Sequence, residues 1–456
     1  MSIRIFNTLT KTIEELVPLH DTKINMFVCG PTVYDFSHLG HAKTYIQFDF
    51  VARYLRHKGF TVNYLQNITD VDDKIIARAA REGTTPAKLA EFFEQCFRED
   101  MERLHVTSVD EYARAHDFVP QIVNQIKRLV DRGFAYSIDD GYYFDVKKFS
   151  RYGELSGRTD VRAGDAISRI DENTQKRNQE DFCLWKAMKP GEPSWQTELG
   201  PGRPGWHIED TAITEARFGA QYDIHGGAVD LIFPHHEAEI AQIEAATGIS
   251  PMVRHWMHTG FLNIKSQKMS KSAGNFVTIR EALKDTDPST LRYWFLSHHY
   301  RTSIDLVAEW RTQAESGLAR LNTFIRSIDA RFDDVDNEGP VHSVRNDILN
   351  HLDDDFNTPA ALASLFEFIR NQNKSGRPGT RVISLLEELE GLFDFMDIVQ
   401  TSVRIDKDVK LRIEERQTLR KQRQFAEADK IRAELEKDGI ILEDTPTGVK
   451  WYRRPH

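Results

Sequence analysis

The stretch Cys29-Gly30-Pro31-Thr32-Val33-Tyr34-Asp35-Phe36-Ser37-His38-Leu39-Gly40-His41 leaves one regular element and enters another. Before it, Lys23 to Val28 reads as a buried strand. After it, Leu39 to His57 places Ile46, Phe50, Val51, Tyr54 and Leu55 at helical spacing. Gly59 stops that helix, and Thr61 to Leu65 reads as a second strand. The result is a βαβ unit whose crossover carries two histidines near a helix start, where unpaired backbone N–H groups and the helix dipole favour phosphate. His-x-x-His taken alone is more often two solvated histidines on a helix.

At 456 residues, the chain has room for about three domains at the usual ~150 residues each, with ample core. An apolar share of 40% with 29% charged residues fits a soluble globular enzyme. The first ten residues, Met1 to Thr10, lack the apolar core of a signal peptide, and no later run approaches a membrane span, so the expectation is a cytoplasmic protein with no membrane partner. Cys29, Cys96 and Cys183 are too few and too scattered for a disulfide framework. A net charge of -10 argues against indiscriminate nucleic-acid binding. It leaves room for an RNA partner held by a local basic patch.

Thr85-Pro86 opens a helix with Leu89, Phe93, Cys96, Phe97, Met101 and Leu104 on one face, which makes Cys96 a core residue. From about Gly141 to Arg203 the βα alternation is lost. Asp223 to Val229 then reads as a turn-rich segment leading into a helix over Phe233 to Ala246, on which His235 and Glu239 share a face. Beyond Ser303 the pattern is helical: Val307 to Ile328 forms one long amphipathic run, Asp333 to Pro340 breaks it, and Val344 to Leu352, Thr358 to Ile369 and Val382 to Ile398 add three more helices. Thr401 to Lys410 reads as a linker. Two short helical runs follow over Arg416 to Lys437, then a hairpin pairing Ile440 to Asp444 with Val449 to Arg453. This tail carries Arg416, Arg420, Lys421, Arg423, Lys430, Arg432, Lys450, Arg453 and Arg454 beside Trp451. Such a surface could hold phosphate and stack an unpaired base. A solvated helical hairpin with Trp451 as its small core fits the same residues.

A second signal lies at Lys268-Met269-Ser270-Lys271-Ser272, followed by the turn-forming Ala273-Gly274-Asn275. With His38-Leu39-Gly40-His41, and in this order, it resembles the paired HIGH and KMSKS signatures of class I aminoacyl-tRNA synthetases, with leucine at the second position of the first. Cys29 to Asp35, Asn67 to Lys74, Gly205 to Glu209, Asp223 to Gly227, Phe233 to Glu237 and Asp354 to Pro359 extend the resemblance, nearly end to end, to the cysteinyl-tRNA synthetase family.

The resemblance implies an α/β protein with a Rossmann-type catalytic domain at 1–302, carrying an insertion at about 130–203 and a lysine-loop region at about 260–302. A helical bundle at 303–400 and a small α+β anticodon-binding domain at 401–456 would follow. It implies ligation of L-cysteine to tRNA(Cys) through a cysteinyl adenylate, with magnesium arriving on ATP, and a monomer. His38 and His41 would donate to phosphate oxygens. Lys268 and Lys271, with Ser270 between them, would close over the leaving phosphates, and Gly226-Gly227 would let the backbone approach adenosine. Trp206 and His225 would wall the cysteine pocket, while Thr69 or Asp230 would meet its ammonium group. Each of these last residues could equally serve packing or a turn. Arg423, Arg432, Trp451 and Arg453 would contact tRNA.

Cysteine and serine differ by one atom, and an apolar pocket separates near-isosteres by only about a hundredfold. A zinc ion resolves this, because it binds and deprotonates a thiol as a hydroxyl cannot match. The family holds zinc with two cysteines, a histidine and a glutamate, and the corresponding positions are Cys29, Asp210, His235 and Glu239. The second cysteine is therefore absent. Asp210 either completes a weaker, more exchangeable zinc site through oxygen, or is an ordinary polar residue with the metal lost or differently held. Two rival functions remain. A mycothiol-pathway cysteine:amino-sugar ligase would not need the extension over 404–456, and an inactive tRNA-binding paralogue would not need His38, His41, Lys268 and Lys271.

Overall fold

The computed structural model describes residues 2–158, 173–264, 267–269, 276–328, 333–375, 378–396, 398, 407–422, 424–438, 440–445 and 448–453. They form two compact units, one of residues 1–311 with 349–361 and one of residues 312–348 with 362–456.

The first unit is built on five parallel strands: β1 (Lys23–Val28), β2 (Thr61–Ile68), β3 (Glu111–Arg114), β4 (Tyr222–Ala228) and β5 (Val253–Thr259). Their spatial order is β5-β4-β1-β2-β3. The chain thus winds outward from β1 in one direction through β2 and β3, and returns on the other side through β4 and β5. Neighbouring crossovers diverge between β1 and β4, and ligands bind at that divergence, beyond the carboxyl ends of the strands. Helix α1 (Leu39–His57) covers the expected residues and buries Ile46, Phe50, Val51, Tyr54 and Leu55.

The segment expected as turn-rich is instead β4. It is buried from Tyr222 to Gly227 and lies between β1 and β5, so it shows no inside–outside alternation. Helices α2 (Ile208–Phe218) and α3 (Glu237–Thr247) flank it in sequence. Between β3 and α2 stands a separate four-stranded antiparallel sheet of Ala135–Ile138, Gly141–Phe144, Phe182–Ala187 and Gly202–Pro204. Cys183 is buried in its third strand and Cys96 in the helix Pro86–Arg103, as their surroundings in sequence suggest. The Asp354–Pro359 motif makes a tight anchor. Asp355, at φ +59°, accepts hydrogen bonds from the Phe6 amide (2.8 Å), the Tyr300 hydroxyl (2.7 Å) and Arg301 Nε (2.7 Å).

Two later helices begin earlier than the sequence pattern suggests. One runs Glu338–Asp353, because Pro340 falls in its first turn, where a missing N–H costs nothing. Another runs Lys407–Lys421, replacing the later part of the expected linker; residues 401–406 lie outside the described residues. The helix Phe425–Lys437 and a hairpin of Ile440–Thr445 with Gly448–Arg453 complete the tail. Its core is Ile413, Leu435, Ile440 and Leu442. Arg416 is fully buried and so leaves the list of basic groups able to meet RNA. Among the described residues no helix is long and apolar enough to cross a membrane.

Candidate active site

Cys29 is the first residue beyond β1, and its amide donates to the Gly226 carbonyl of β4 at 3.0 Å, which fixes its thiol at the sheet's divergence. Around Sγ lie His236 Nε2 at 3.1 Å, His225 Nε2 at 3.4 Å, Asp210 Oδ2 at 3.6 Å and Glu239 Oε1 at 4.0 Å. His235 Nε2 stands 3.0 Å from Asp210 Oδ2 and 2.9 Å from Glu239 Oε1. All six side chains are buried. The four residues singled out from sequence as metal ligands are therefore brought together, with two further imidazoles beside them.

Different elements deliver these groups. His225 comes from β4, Asp210 from the first turn of α2, and Glu239 from the first turn of α3. His235 and His236 precede α3 in a wide turn over Ile232–His236 that is broken by an extended Phe233 (φ -135°, ψ 132°). On a regular helix consecutive side chains diverge by about 100°. Both rings nevertheless enter one pocket, His235 four and His236 three residues before Glu239, and the sequence reading took the four-residue spacing and passed over the three-residue one.

A layer of partners orients the donors. Tyr222 Oη lies 2.7 Å from His225 Nδ1, His258 Nε2 lies 2.8 Å from His236 Nδ1, and His207 Nδ1 lies 2.8 Å from His235 Nδ1. Asn67 donates to Asp210 Oδ1 at 2.5 Å and accepts from the Gly30 amide at 2.5 Å. Trp206 stacks on His235 with ring centroids 4.2 Å apart. Metal-binding side chains are characteristically held this way, with the non-ligating atom tied to the protein.

The electrostatics of the pocket call for a cation. Burial pushes the Cys29 thiol well up, and Glu239 and Asp210 add to the effect. Burial raises Glu239 to about 7 against the opposing pull of His235, and holds His225 and His236 well below the usual imidazole range. A bound dication reverses this order by favouring thiolate and carboxylate and needing neutral imidazole. Glu239 Oε2 is buried without a hydrogen-bond partner. Sulfur, nitrogen and oxygen donors at these separations fit a metal ion such as zinc.

The second centre is the start of α1. His38 is the N-cap; its Nδ1 accepts from the amides of Gly40 (3.1 Å) and His41 (3.4 Å), and His41 Nδ1 accepts in return from the His38 amide (3.3 Å). The Leu39 amide donates to the Val277 carbonyl at 3.0 Å. The N–H groups expected to face phosphate are thus already used by the protein. Both imidazoles, accepting at Nδ1, carry their proton on Nε2 and become donors there. Their rings stack at 3.9 Å.

The lysine segment is tied to this helix start at both ends. Gln267–Lys268 pairs with Asn263–Ile264, and Met269 is buried, its Cε 3.5 Å from where a Cβ on Gly40 would lie. After the loop, Phe276 meets the His38 ring edge-on and Thr278 bridges to His38. The Lys268 side chain, Ser270 and Lys271 lie outside the described residues.

The other expected residues fall as follows. Thr69, at the carboxyl end of β2, donates to Glu209, a buried carboxyl that the sequence reading did not single out. Burial and Asp210 push the Glu209 pKa well up. Asp230 is exposed on the turn after β4. Gly226 and Gly227 are required by packing: a Cβ would come within 2.4 Å of the Phe48 ring and 2.9 Å of the His236 ring. Exposed Arg432 donates to the Leu442 carbonyl at 3.3 Å, Trp451 and Arg453 are placed by backbone only, and Arg423 lies outside the described residues.

Parallel sheet, histidine-capped helix and anchored lysine segment together define the catalytic domain of a class I aminoacyl-tRNA synthetase. Residues 15–316 match the family model of the class I (C) tRNA synthetase catalytic domain, and residues 349–398 match the DALR domain. The fold resembles the methionyl-tRNA synthetase of Mycobacterium tuberculosis bound by methionyl-adenylate, with a TM-score of 0.62 at 16% identity over 82% of this chain and 92% of that one. The chain is 44% identical to the cysteine–tRNA ligase of Thermococcus onnurineus over 99% of both chains, and 41% identical to that of Carboxydothermus hydrogenoformans over 99% of this chain and 100% of that one. It belongs to the cysteine–tRNA ligase family.

Proposed function

We propose that the chain ligates L-cysteine to tRNA(Cys) through a cysteinyl-adenylate intermediate and selects cysteine by its sulfur. The observation that carries this reading is the buried thiol of Cys29, ringed by imidazole and carboxylate donors, at the same sheet edge as the histidine-capped helix. Zinc held in this pocket, with Cys29 and Glu239 among its ligands, would supply an acceptor for the substrate's sulfur.

The protein's own groups do the rest. Trp206 holds the plane of His235, while Asn67 aims Asp210. The Thr69–Glu209 pair offers a polar neighbour for the substrate ammonium, whose positive charge would favour ionisation of Glu209 against the burial that raises its pKa. His38 and His41 present Nε2–H to the phosphates of magnesium-bound ATP. Their fixed rings pay little reorganisation when charge develops on the α-phosphate. Lys268 and Lys271 would steady pyrophosphate as it leaves, with the acyl group then passing to the terminal ribose of tRNA. The basic tail beyond residue 404 supports RNA over an amino sugar as acceptor. We also read the protein as a cytoplasmic monomer, in keeping with three free cysteines.

Cysteine-dependent ATP–pyrophosphate exchange followed by charging of tRNA(Cys) tests the assignment. Exchange with cysteine and not with serine, followed by charging, is expected. Exchange without charging would favour the amino-sugar ligase, and no exchange would favour an inert tRNA-binding paralogue.

A further inference from the structure

Cys29 and Glu239 belong to two complete donor sets. One is Cys29–Asp210–His235–Glu239, and the other is Cys29–His225–His236–Glu239. We propose that the metal ion of this chain rests in the second set, with His225 and His236 as ligands in place of Asp210 and His235. This inference rests on the metal-selection reading above.

Geometry admits both sets. Zinc–sulfur and zinc–nitrogen bonds of about 2.3 and 2.0 Å imply donor–donor edges of roughly 3.3–3.8 Å in a tetrahedron. In the second set Cys29 Sγ lies 3.1 Å from His236 Nε2 and 3.4 Å from His225 Nε2, and His225 Nε2 lies 3.5 Å from Glu239 Oε2. That last oxygen is the buried one with no hydrogen-bond partner. It faces the second set, whereas Glu239 Oε1 is already engaged by His235 at 2.9 Å. Donors of the first set thus satisfy one another: His235 Nε2 also lies 3.0 Å from Asp210 Oδ2.

Charge favours the same choice. With one thiolate and two carboxylates around a dication, the first set carries a net charge of about -1, while the second, with one thiolate and one carboxylate, is neutral. All donors of both sets are buried, and burying a neutral assembly costs less than burying a charged one. Two imidazoles also suit zinc better than exchanging one of them for a second carboxylate. Outer partners for the second set are in place, since Tyr222 Oη orients His225, and His258, itself 2.8 Å from Thr8 Oγ1, orients His236.

Zinc K-edge absorption on the wild-type protein counts imidazoles directly, with no variant that must fold. Two imidazoles and one sulfur are expected; one imidazole would overturn the proposal. Asp210→Asn should keep one zinc per chain with an unchanged spectrum, while His236→Gln should weaken zinc by more than tenfold in a chelator competition. Zinc lost from Asp210→Asn and retained by His236→Gln would overturn it independently. If wild-type protein binds no zinc at all, the metal-selection reading fails first, which is distinguishable from zinc bound with a single imidazole.

Discussion

Two groups of histidines stand at the same edge of one sheet and are used in opposite senses. In the Cys29 pocket His225, His235 and His236 are buried, each with Nδ1 against a protein partner and Nε2 turned toward sulfur or carboxylate. At the start of α1, His38 and His41 are half-buried and spend Nδ1 as acceptors that close the helix end. In both places the protein occupies Nδ1, and what Nδ1 does decides the character of Nε2. Inside the pocket Nε2 offers a lone pair; at the helix start it offers a proton. The role of Nδ1 sets the difference: at the helix start Nδ1 accepts, which puts the proton on Nε2, whereas His225 and His236, kept neutral by burial, keep the Nε2 lone pair when Nδ1 carries the proton. On the proposed reading, selection of sulfur would be built by folding alone, whereas handling of phosphate would also need the lysine loop.

Breaking the lone-pair side should have the largest effect. Cys29→Ser removes the one sulfur common to both donor sets, and since losing an outer partner alone costs 10–100-fold in metal affinity, losing this donor should cost more than ~100-fold. Zinc content after dialysis, with cysteine-dependent exchange, measures it; full zinc with full exchange would dissociate selection from Cys29. On the phosphate side, Lys271→Ala should lower the exchange rate by roughly 10²–10³ with little change in cysteine binding, because its charge is wanted mainly in the transition state. An unaltered exchange rate would remove Lys271 from that role.

The double duty of His38 can be split. Asparagine is a good N-cap, whereas alanine loses about 1 kcal/mol of capping. His38→Asn should therefore melt like the wild type yet lose the Nε2–H donor, dropping exchange by roughly tenfold or more. His38→Ala should lose stability as well. If asparagine restores exchange in full, the histidine is only a cap.

Legibility in the sequence follows the same division. Helix α1 was readable because Ile46, Phe50, Val51, Tyr54 and Leu55 keep a helical period between a capped start and Gly59, even though the helix is buried over most of its length and exposes only His57. Strand β4 was not, because it is buried on both faces and ends in Gly226-Gly227, which reads as a turn until Phe48 and His236 are seen packed where side chains would stand. Cys29, His235 and Glu239 could be named from spacing and resemblance. His236 was passed over because two adjacent histidines do not usually face one pocket on a helix, and only the structure shows both rings turned toward Cys29 and Glu239. The helix beginning at Glu338 was hidden by Pro340, a residue that signals a break in mid-helix and is harmless in the first turn.

A third kind of nitrogen joins the two groups, and its effect is read in stability and not in activity. Lys43 lies on α1 two residues beyond His41, is buried, and donates to the carbonyls of Gly260 (2.5 Å) and Tyr300 (3.1 Å), so it ties α1 to the chain that enters the lysine segment. Burial lowers its pKa to about 7, whereas an unfolded lysine titrates near ~10.4. Between these values the unfolded chain holds a proton that the folded chain has released, so the contribution of Lys43 to stability rises with pH across that window and is flat below it. Lys43→Met should abolish this slope. Urea midpoints of wild type and variant at pH 6.5 and pH 9.5 measure it: the wild type should gain on the variant as pH rises. A constant difference between them would mean that Lys43 stays charged in the fold, held by its two carbonyls against the cost of burial, and the contrast between buried neutral and half-buried donating nitrogens would not extend along α1.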